Sequence, residues 1–558
     1  MASAPRPRWI VLALAALILV AAVLFLPDQL ARVVRERSLQ VMEQAAGPQS
    51  RIAIGHVGIE LLAGDITWSD LRIEHMSDSA DTAWVQASTV LITGEVDRIA
   101  VQGLSIWKLL LAKRLDVRTL DVFGARLELI TPASAQEVQQ QQQAQNDLVR
   151  HVQLDSLRVD SSSFHWRSTL AESAQADLQR LTMRASGLKA ELPRGNRPFT
   201  FTFSSASAEL ESLHAGFPPL YDLAINRVRL AHPDSVLQLN DITLSSRKGP
   251  HAYGKVLPYE TDLTTFHSAS IGLRGLDLAA WLNTGSLRAR ELRISGTDLQ
   301  DYRDKTMPDA PFTDKPMPAR LLRSLPFTVC LDSLVVEQLN VVYFEKDNIT
   351  PDYGTVDFTG ISAVAHGLCT LHPEEDPELH LVATATVFGN APVHFDFRTA
   401  VFDSSDHFSV KARVGALPFR VFNAMTNELL LVRATAGTIG GIDYTFEANS
   451  NKGQGRVDIE YAGLKLRVAK RDGSEDKNVM ASFLLNQLTR SQNQRSGGNF
   501  RHGDFTVDRV KEKQVFNYLW RGLRQGMLES MLPEAVKGAQ QVVKDAKEAT
   551  QAKPEGNP

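Results

Sequence analysis

Hydrophobic and polar positions follow an eight-residue pattern along much of the chain, with apolar residues at the first, third, sixth and eighth positions. Leu115, Val117, Leu120 and Val122 show this pattern, with polar residues between them. Each half alternates with the two-residue period of a β-strand, so one face is apolar and the other polar. The two-residue spacer in the middle shifts the alternation by one position. A β-bulge or a sharp corner at the spacer would keep all four apolar residues on one side.

The pattern occurs nine times, beginning at Ile52, Ile66, Ile99, Leu115, Val152, Leu223, Leu237, Ile271 and Ile459. For independent positions of this composition, about one match is expected by chance. The repetition predicts a mainly β fold in which an elongated, curled β-sheet forms a groove with one apolar face and a few flanking helices. The predicted groove lining consists of Ile66, Trp68, Leu71, Ile73, Leu115, Val117, Leu120, Val122, Val152, Leu154, Leu157, Val159, Leu223, Ile225, Val228, Leu230, Leu237, Leu239, Ile242, Leu244, Ile271, Leu273, Leu276, Leu278, Ile459, Tyr461, Leu464 and Leu466.

The rest of the chain divides by composition. A first β module is predicted over residues 49–131 and the main β-groove region over 151–490. Residues 132–150 between them contain the run Gln139–Gln143 and are predicted to be a Gln-rich linker. Residues 491–510 also have the composition of a linker. A flexible polar tail is predicted over 533–558.

The N-terminus carries an unbroken apolar run from Trp9 to Leu26, long enough to span a bilayer as a helix. It predicts a transmembrane anchor over residues 1–28, followed by a juxtamembrane helix over 29–48. The anchor residues are Trp9, Leu12, Leu17, Leu19, Leu24 and Leu26. A cleaved signal peptide is the alternative, although the run exceeds the usual signal core of about 7–15 residues. We expect the short N-terminal tail to stay in the cytoplasm and the bulk to be exported.

An amphipathic helix is predicted over residues 511–532. Its apolar residues fall on one helical face, with basic residues nearby; they include Phe516, Leu519, Trp520, Leu523 and Met527. Such a helix either contacts a membrane or a partner, or caps the open end of the β array.

Composition narrows the function classes. The formal net charge of −4 over 558 residues gives no reason to expect nucleic acid as a partner. Cys330 and Cys369 are the only cysteines, which excludes a disulfide framework and a cysteine-rich zinc site. These two residues either form one bridge in an oxidising compartment or remain two thiols in strands.

Motifs for catalysis or cofactor binding are not found in the sequence. It contains no Gly-x-Ser-x-Gly elbow, no phosphate-binding loop of the Walker type and no His-Glu-x-x-His. His366, His372 and His380 surround an acidic loop that either holds a divalent cation or is simply solvated. We therefore expect no catalytic residues, no metal and no cofactor. An exported enzyme with scattered catalytic residues is the remaining alternative.

Three lines of the sequence carry a family resemblance: GDITWSDLRIEH (Gly64–His75), EVDRIAVQGLSIW (Glu95–Trp107) and LDVRTLDVFGARLELI (Leu115–Ile130). Together with the N-terminal anchor and the long β region, they resemble the AsmA-like family of Gram-negative bacteria. The resemblance implies a single-pass inner-membrane anchor and a periplasmic β-groove similar to that of bridge-like lipid transfer proteins. It also implies phospholipid transport toward the outer membrane, with no catalytic residues.

The expected function is therefore lipid binding and transfer in the cell envelope, with membrane phospholipids as partners. Some twenty strands spaced about 4.8 Å apart reach only about 100 Å, so we expect other envelope proteins to complete a bridge to the outer membrane. The alternative is a non-enzymatic periplasmic scaffold in which the apolar faces close on each other.

Overall fold

The computed structural model of the protein describes residues 50–60, 63–75, 91–105, 108, 112–131, 151–168, 174–191, 200–250, 252–253, 256–371, 373–375, 377–468 and 490–532. The predicted anchor, juxtamembrane helix, Gln-rich linker and polar tail lie outside these residues. Among the helices that the structure describes, none combines the length and the apolar character needed to cross a bilayer.

The described chain is mainly β, which confirms the mainly β part of the predicted fold, and 23 strands belong to one sheet. The strands are β1 (Ser50–Glu60), β2 (Asp65–His75), β3 (Leu91–Gln102), β4 (Arg114–Thr131), β5 (His151–Ser168), β6 (Gln175–Glu191), β7 (Thr200–Thr202), β8 (Ser205–Leu210), β9 (Ser212–Phe217), β10 (Tyr221–His232), β11 (Val236–Ser246), β12 (Asp262–Arg274), β13 (Leu287–Asp304), β14 (Val329–Lys346), β15 (Gly354–His366), β16 (Leu368–Cys369), β17 (Glu378–Val387), β18 (Ala391–Ala400), β19 (Phe408–Val414), β20 (Leu417–Pro418), β21 (Val432–Ala448), β22 (Lys452–Val468) and β23 (Gly503–Asp508). The α-helices whose bounds lie in the described residues are α1 (Leu278–Thr284), α2 (Pro318–Arg323), α3 (Asn423–Leu430) and α4 (Val515–Met531).

The described residues group into two compact units. Unit 1 contains the described residues up to Arg247, together with His267–Arg293 and Pro326–Val329. Unit 2 contains Lys248–Phe266, Ile294–Leu325 and the described residues from Cys330 onward. The predicted boundary at 132–150 does not separate the two units, because β4 and β5 on either side of it pair in parallel and share one core.

Unit 1 begins with an antiparallel meander of β1, β2, β3 and β4. After the parallel β4–β5 pair, β5 pairs antiparallel with β6. The short strands β7, β8 and β9 all pair with β6, and β8 and β9 also pair with β10. The antiparallel β10–β11 hairpin follows.

Unit 2 is antiparallel throughout its described pairings. Neighbouring strands run in the order β14, β15, β17, β18, β19, β21, β22 and β23. The short β16 also pairs with β14, and there Cys330 and Cys369 face each other with a Cα–Cα distance of 4.0 Å and form a disulfide. Of the two alternatives for the cysteines, the structure shows the bridge.

The two-residue spacer of the apolar pattern forms a corner in unit 1. At four places in unit 1, a spacer residue of a patterned strand lies opposite a residue that has a positive φ. The opposed pairs are Gly55 with Asp70 (φ +55°), Arg118 with Gly103 (φ +67°), Asp155 with Gly187 (φ +62°) and Asn226 with Asp241 (φ +54°). The register is the same before and after the corner in β1–β2 and β10–β11. The left-handed residue turns the pleat without adding a residue, so the apolar positions stay on one face.

A bulge replaces the corner in β21–β22. The register shifts near Ala436 and again near Ile439, opposite the pattern that begins at Ile459. In two other occurrences of the pattern, the strand ends before the third apolar residue, which is Leu104 or Leu276. β3 ends at Gln102, and β12 ends at Arg274 before Gly275 (φ +68°).

The stretch 491–510 is not the linker that its composition predicts. It contains β23, which pairs with β22 and buries Phe505 in the core of unit 2. Upstream of β23, the buried Asn493 donates a hydrogen bond to the carbonyl oxygen of Ile459 at 2.9 Å. Pairing with a distant strand orders a segment that looks unstructured in isolation.

Candidate functional site

The predicted groove residues of β2, β4 and β5 lie together on one face of unit 1. Cross-strand neighbours follow each other across the face; for example, Trp68 is paired with Ile99, Ile99 with Val122, and Val122 with Val159. Buried here are Ile66, Trp68, Leu71, Leu115, Val117, Leu120, Val152, Leu154 and Leu157, and packed half-buried against them are Ile73, Val122 and Val159. With Trp68 only 1% exposed and Leu115 fully covered, this part of the face is a hydrophobic core in contact with protein.

The hairpin of β10 and β11 carries the most accessible part of the predicted lining. Four apolar pairs stand directly opposite each other: Leu223 with Leu244, Ile225 with Ile242, Val228 with Leu239, and Leu230 with Leu237. Ile225 and Ile242, beside the corner, are buried, whereas the other six side chains are half-buried. The pairs form a continuous apolar strip, because direct neighbours in an antiparallel pair lie about 5 Å apart.

The pattern beginning at Ile271 ends in a helix instead of a second half-strand. Ile271 is half-buried and Leu273 is buried in β12. Leu276 lies in the loop after Gly275, and Leu278 is the first residue of α1, where the Asp277 side chain accepts a hydrogen bond from the Ala280 N–H at 2.8 Å. Both leucines are buried. The last two apolar residues of the pattern therefore still face the protein interior, although they do not belong to a strand.

The four predicted groove residues of unit 2 belong to its hydrophobic core. Ile459, Tyr461 and Leu464 are buried, and Leu466 packs against them half-buried. Aromatic and aliphatic residues of successive strands form a row across the same face: Leu381, Phe397, Val410, Phe446 and Phe505, with Gly455 between the last two. This face is filled by side chains and by α4.

Helix α4 packs on β22 and β23 through small residues and one tyrosine. Tyr518, Gly522, Gly526 and Ser530 recur every four residues and are buried. A β-carbon on Gly526 would lie 2.4 Å from Val457 Cγ2. Sequence reasoning missed this face, although the spacing of the two glycines and the serine is visible in the sequence. This side of α4 covers β22 and β23; that the helix caps an open end of the β array stays a prediction.

The opposite side of α4 is exposed. Phe516 is 75% exposed and Trp520 is 44% exposed, and Arg524 and Leu528 continue the row. Leu519, Leu523 and Met527 instead pack half-buried against the core of unit 2. Of the five residues predicted to contact a membrane or partner, Phe516 and Trp520 are therefore the ones most available for such contact.

An ion network connects the segment before α4 to β12 and β13. The Glu260 carboxylate, which is almost fully buried, accepts hydrogen bonds from Arg303 Nε and, at 3.2 Å, from Lys513 Nζ. Arg303 Nη1 also donates to Asp262 at 3.0 Å. Burial raises the pKa of Glu260, but the hydrogen bonds and charges of Arg303 and Lys513 outweigh it, and the net pKa is lowered.

The histidines near the acidic loop have separate partners. His366 and His380 are opposite each other in β15 and β17. His380 Nε2 lies 3.0 Å from Asp396 Oδ2, and His366 Nδ1 lies 2.9 Å from the carbonyl oxygen of Asp332. His372 lies outside the described residues. In the part of the chain that the structure describes, no three His, Cys, Asp or Glu side chains are grouped so as to hold a metal ion.

No known family model matches this chain, and no curated protein matches it.

Proposed function

We propose that the protein is a membrane-anchored lipid-binding and lipid-transfer protein of the bacterial envelope, similar to the AsmA-like family. It holds acyl chains against the apolar face of its bent strands and contributes to outer-membrane biogenesis without catalysing a reaction. The observation that carries this proposal is the strip of four opposed apolar pairs on β10 and β11, six of whose eight side chains are only half-buried.

Burial of hydrocarbon provides the driving force. Each methylene removed from water contributes about 0.8 kcal/mol, so an acyl chain of about 16 carbons gains roughly 12 kcal/mol gross. Half-exposed apolar strips are otherwise a liability for a protein in water, which favours a ligand on them. The headgroup remains in water while the chains follow the strip.

The disulfide between Cys330 and Cys369 supports export, because disulfides persist in oxidising compartments such as the periplasm. With Trp9–Leu26 as an inner-membrane anchor, the bulk of the chain is periplasmic. Its partners in this proposal are membrane phospholipids and envelope proteins that complete the path to the outer membrane; nucleic acid is not a partner.

Photo-crosslinking tests the proposal. Leu230 and Arg229 are adjacent residues of β10 whose side chains point to opposite faces of the strand; Leu230 belongs to the strip, and Arg229 is exposed. A photoreactive residue at position 230 should capture phospholipid in cells, whereas one at 229 should capture little. A third probe at Val117, inside the core, should capture less than the probe at 230. Equal labelling at 229 and 230 would contradict the lipid strip.

A periplasmic scaffold is the second candidate, and the filled cores favour it. Trp68 in unit 1 and Phe446 in unit 2 are covered almost completely by protein. If the protein is a scaffold, organic extraction of the purified chain in a non-lipid detergent should release no stoichiometric phospholipid. About one or more lipid molecules per chain would instead support transfer.

A further inference from the structure

Five charged side chains meet in unit 2 between α2, the turn before β19 and the end of β23. Asp406 contacts Arg323 Nη2 at 2.8 Å and Arg320 Nε at 3.6 Å. Asp314 contacts Arg320 Nη1 at 2.8 Å and Arg509 Nη1 at 3.8 Å. Three guanidinium groups face two carboxylates, so the cluster carries one uncompensated positive charge.

Arg509 is the most enclosed member of this cluster. Its side chain is 1% exposed, and its Nη2 donates to the carbonyl oxygen of Lys315. Its Nε and Nη1 have no acceptor within hydrogen-bond distance among the described residues. Burial lowers the pKa of Arg509, because the neighbouring carboxylates do not fully compensate for lost water. A buried guanidinium with unpaired N–H groups is costly, which points to an acceptor that completes it.

Two further donors belong to the same place. The Tyr518 hydroxyl of α4 is buried and has no partner in the described structure, and its ring packs edge-on against Phe408, two residues after Asp406. Burial raises the pKa of Tyr518, so the hydroxyl stays protonated and able to donate. Arg320 Nε is likewise without a hydrogen-bond acceptor among the described residues, since its nearest carboxylate oxygen is at 3.6 Å.

We propose that Arg509, Tyr518 and Arg320 form a binding site for one phosphate group. Guanidinium groups pair with phosphate oxygens through parallel hydrogen bonds, and a singly charged phosphodiester would neutralise the excess charge of the cluster. The side chains of Arg320 and Asp314 are 37% and 36% exposed, so one edge of the cluster lies at the protein surface. The assignment of this phosphate to a phospholipid headgroup rests on the proposed function. The phosphate site itself rests only on the residues described above.

Calorimetric titration of the full chain in an uncharged detergent tests the site with two probes: inorganic phosphate, and dihexanoyl phosphatidylglycerol below its micelle concentration. Tyr518→Phe keeps the ring against Phe408 and Phe446 and removes only the hydroxyl. It should weaken binding of both probes about tenfold, the loss expected for one hydrogen bond to a charged group. Arg509→Gln should abolish binding. Arg413→Gln, which removes an exposed guanidinium paired with Asp443, should leave binding unchanged.

The titrations distinguish the phosphate site from its assignment to a lipid headgroup. No binding of inorganic phosphate, or binding that Tyr518→Phe leaves unchanged, would overturn the site. Binding of inorganic phosphate without competition from the short-chain lipid would overturn the headgroup assignment and leave a free-phosphate site. Competition between the probes at a Tyr518-dependent site would support it. If the probe at position 230 captures no lipid but phosphate still binds, only the lipid-transfer proposal is contradicted, and the phosphate site stands.

Discussion

Gly124 in β4 lies opposite Asp97 in β3 so closely that a β-carbon on the glycine would be 2.0 Å from Asp97 Oδ2. The carboxylate is held there by Arg126, whose Nη2 donates to Asp97 Oδ1 at 2.6 Å. Gly124 also has φ +65°, in the left-handed region that glycine adopts without strain. The backbone conformation therefore favours glycine at this position, and a β-carbon there would displace the Asp97 carboxylate from Arg126.

Replacing Gly124 by alanine should destabilise the β3–β4 pair by about 1–3 kcal/mol, from left-handed strain plus the contact with Asp97. Hydrogen exchange of the β3 and β4 amides measures the local loss. Gly389→Ala is the matched control, because Gly389 has φ +58° with open space around its α-carbon. This variant should lose only about 1 kcal/mol of local stability in β17 and β18, which is the cost of the left-handed conformation for alanine. Equal losses at the two sites would argue against the contact.

Removing the disulfide should lower the stability of unit 2. The bridge closes a sequence separation of 39 residues, for which chain-entropy reasoning gives roughly 4 kcal/mol. Urea unfolding of the Cys330→Ala/Cys369→Ala variant measures the change, and the reduced native chain should behave like the variant. Protein from cells should resist thiol alkylation until it is reduced. Ready alkylation of both thiols before reduction would refute the periplasmic bridge.

Glu260 should make stability depend on pH in the acid range. Its pKa is lowered in the folded chain, so its contribution is complete above the unfolded-state value of about 4.3 and is lost as pH falls through the folded value. Glu260→Gln should cost about 2 kcal/mol at pH 7, and the difference from the native chain should shrink toward pH 3. Thermal unfolding at both pH values measures it. Glu447→Gln, on the exposed side of β21, should have little effect at pH 7, and a pH-independent loss at position 260 would contradict the ion network.

The exposed side of α4 should bind a membrane surface. In proteoliposomes that hold the full chain, Phe516→Ser/Trp520→Ser should reduce tethering of added anionic vesicles at least tenfold. Each large aromatic side chain contributes about 1.5–3 kcal/mol when it leaves water. Val364→Ser/Val382→Ser removes two exposed apolar residues from paired strands and is the control. Equal reductions in both variants would indicate general surface hydrophobicity and not a helix-specific contact.

The eight-residue pattern predicts more than strands, because it also anticipates the corner. Asp70 and Asp241 occupy the second spacer position and take the left-handed conformation that turns the pleat. This inference succeeds because the alternation of apolar and polar residues depends only on neighbours in the chain. The composition of 491–510 predicts a linker, and this prediction is wrong. β23 forms by hydrogen bonding to β22, which is far away in sequence, so the order of this segment does not depend on its chain neighbours.

By itself, the sequence therefore determined the mainly β class, the apolar side of each patterned strand and the amphipathic character of α4. Tertiary structure alone decided which apolar residues are covered. The same pattern is buried around Trp68 and half-exposed around Leu230, and at Leu278 it becomes the start of a helix. Burial of a side chain depends on contacts between segments that are distant in sequence, such as the contact of Gly526 with Val457. The local periodicity of apolar residues carries no information about such contacts.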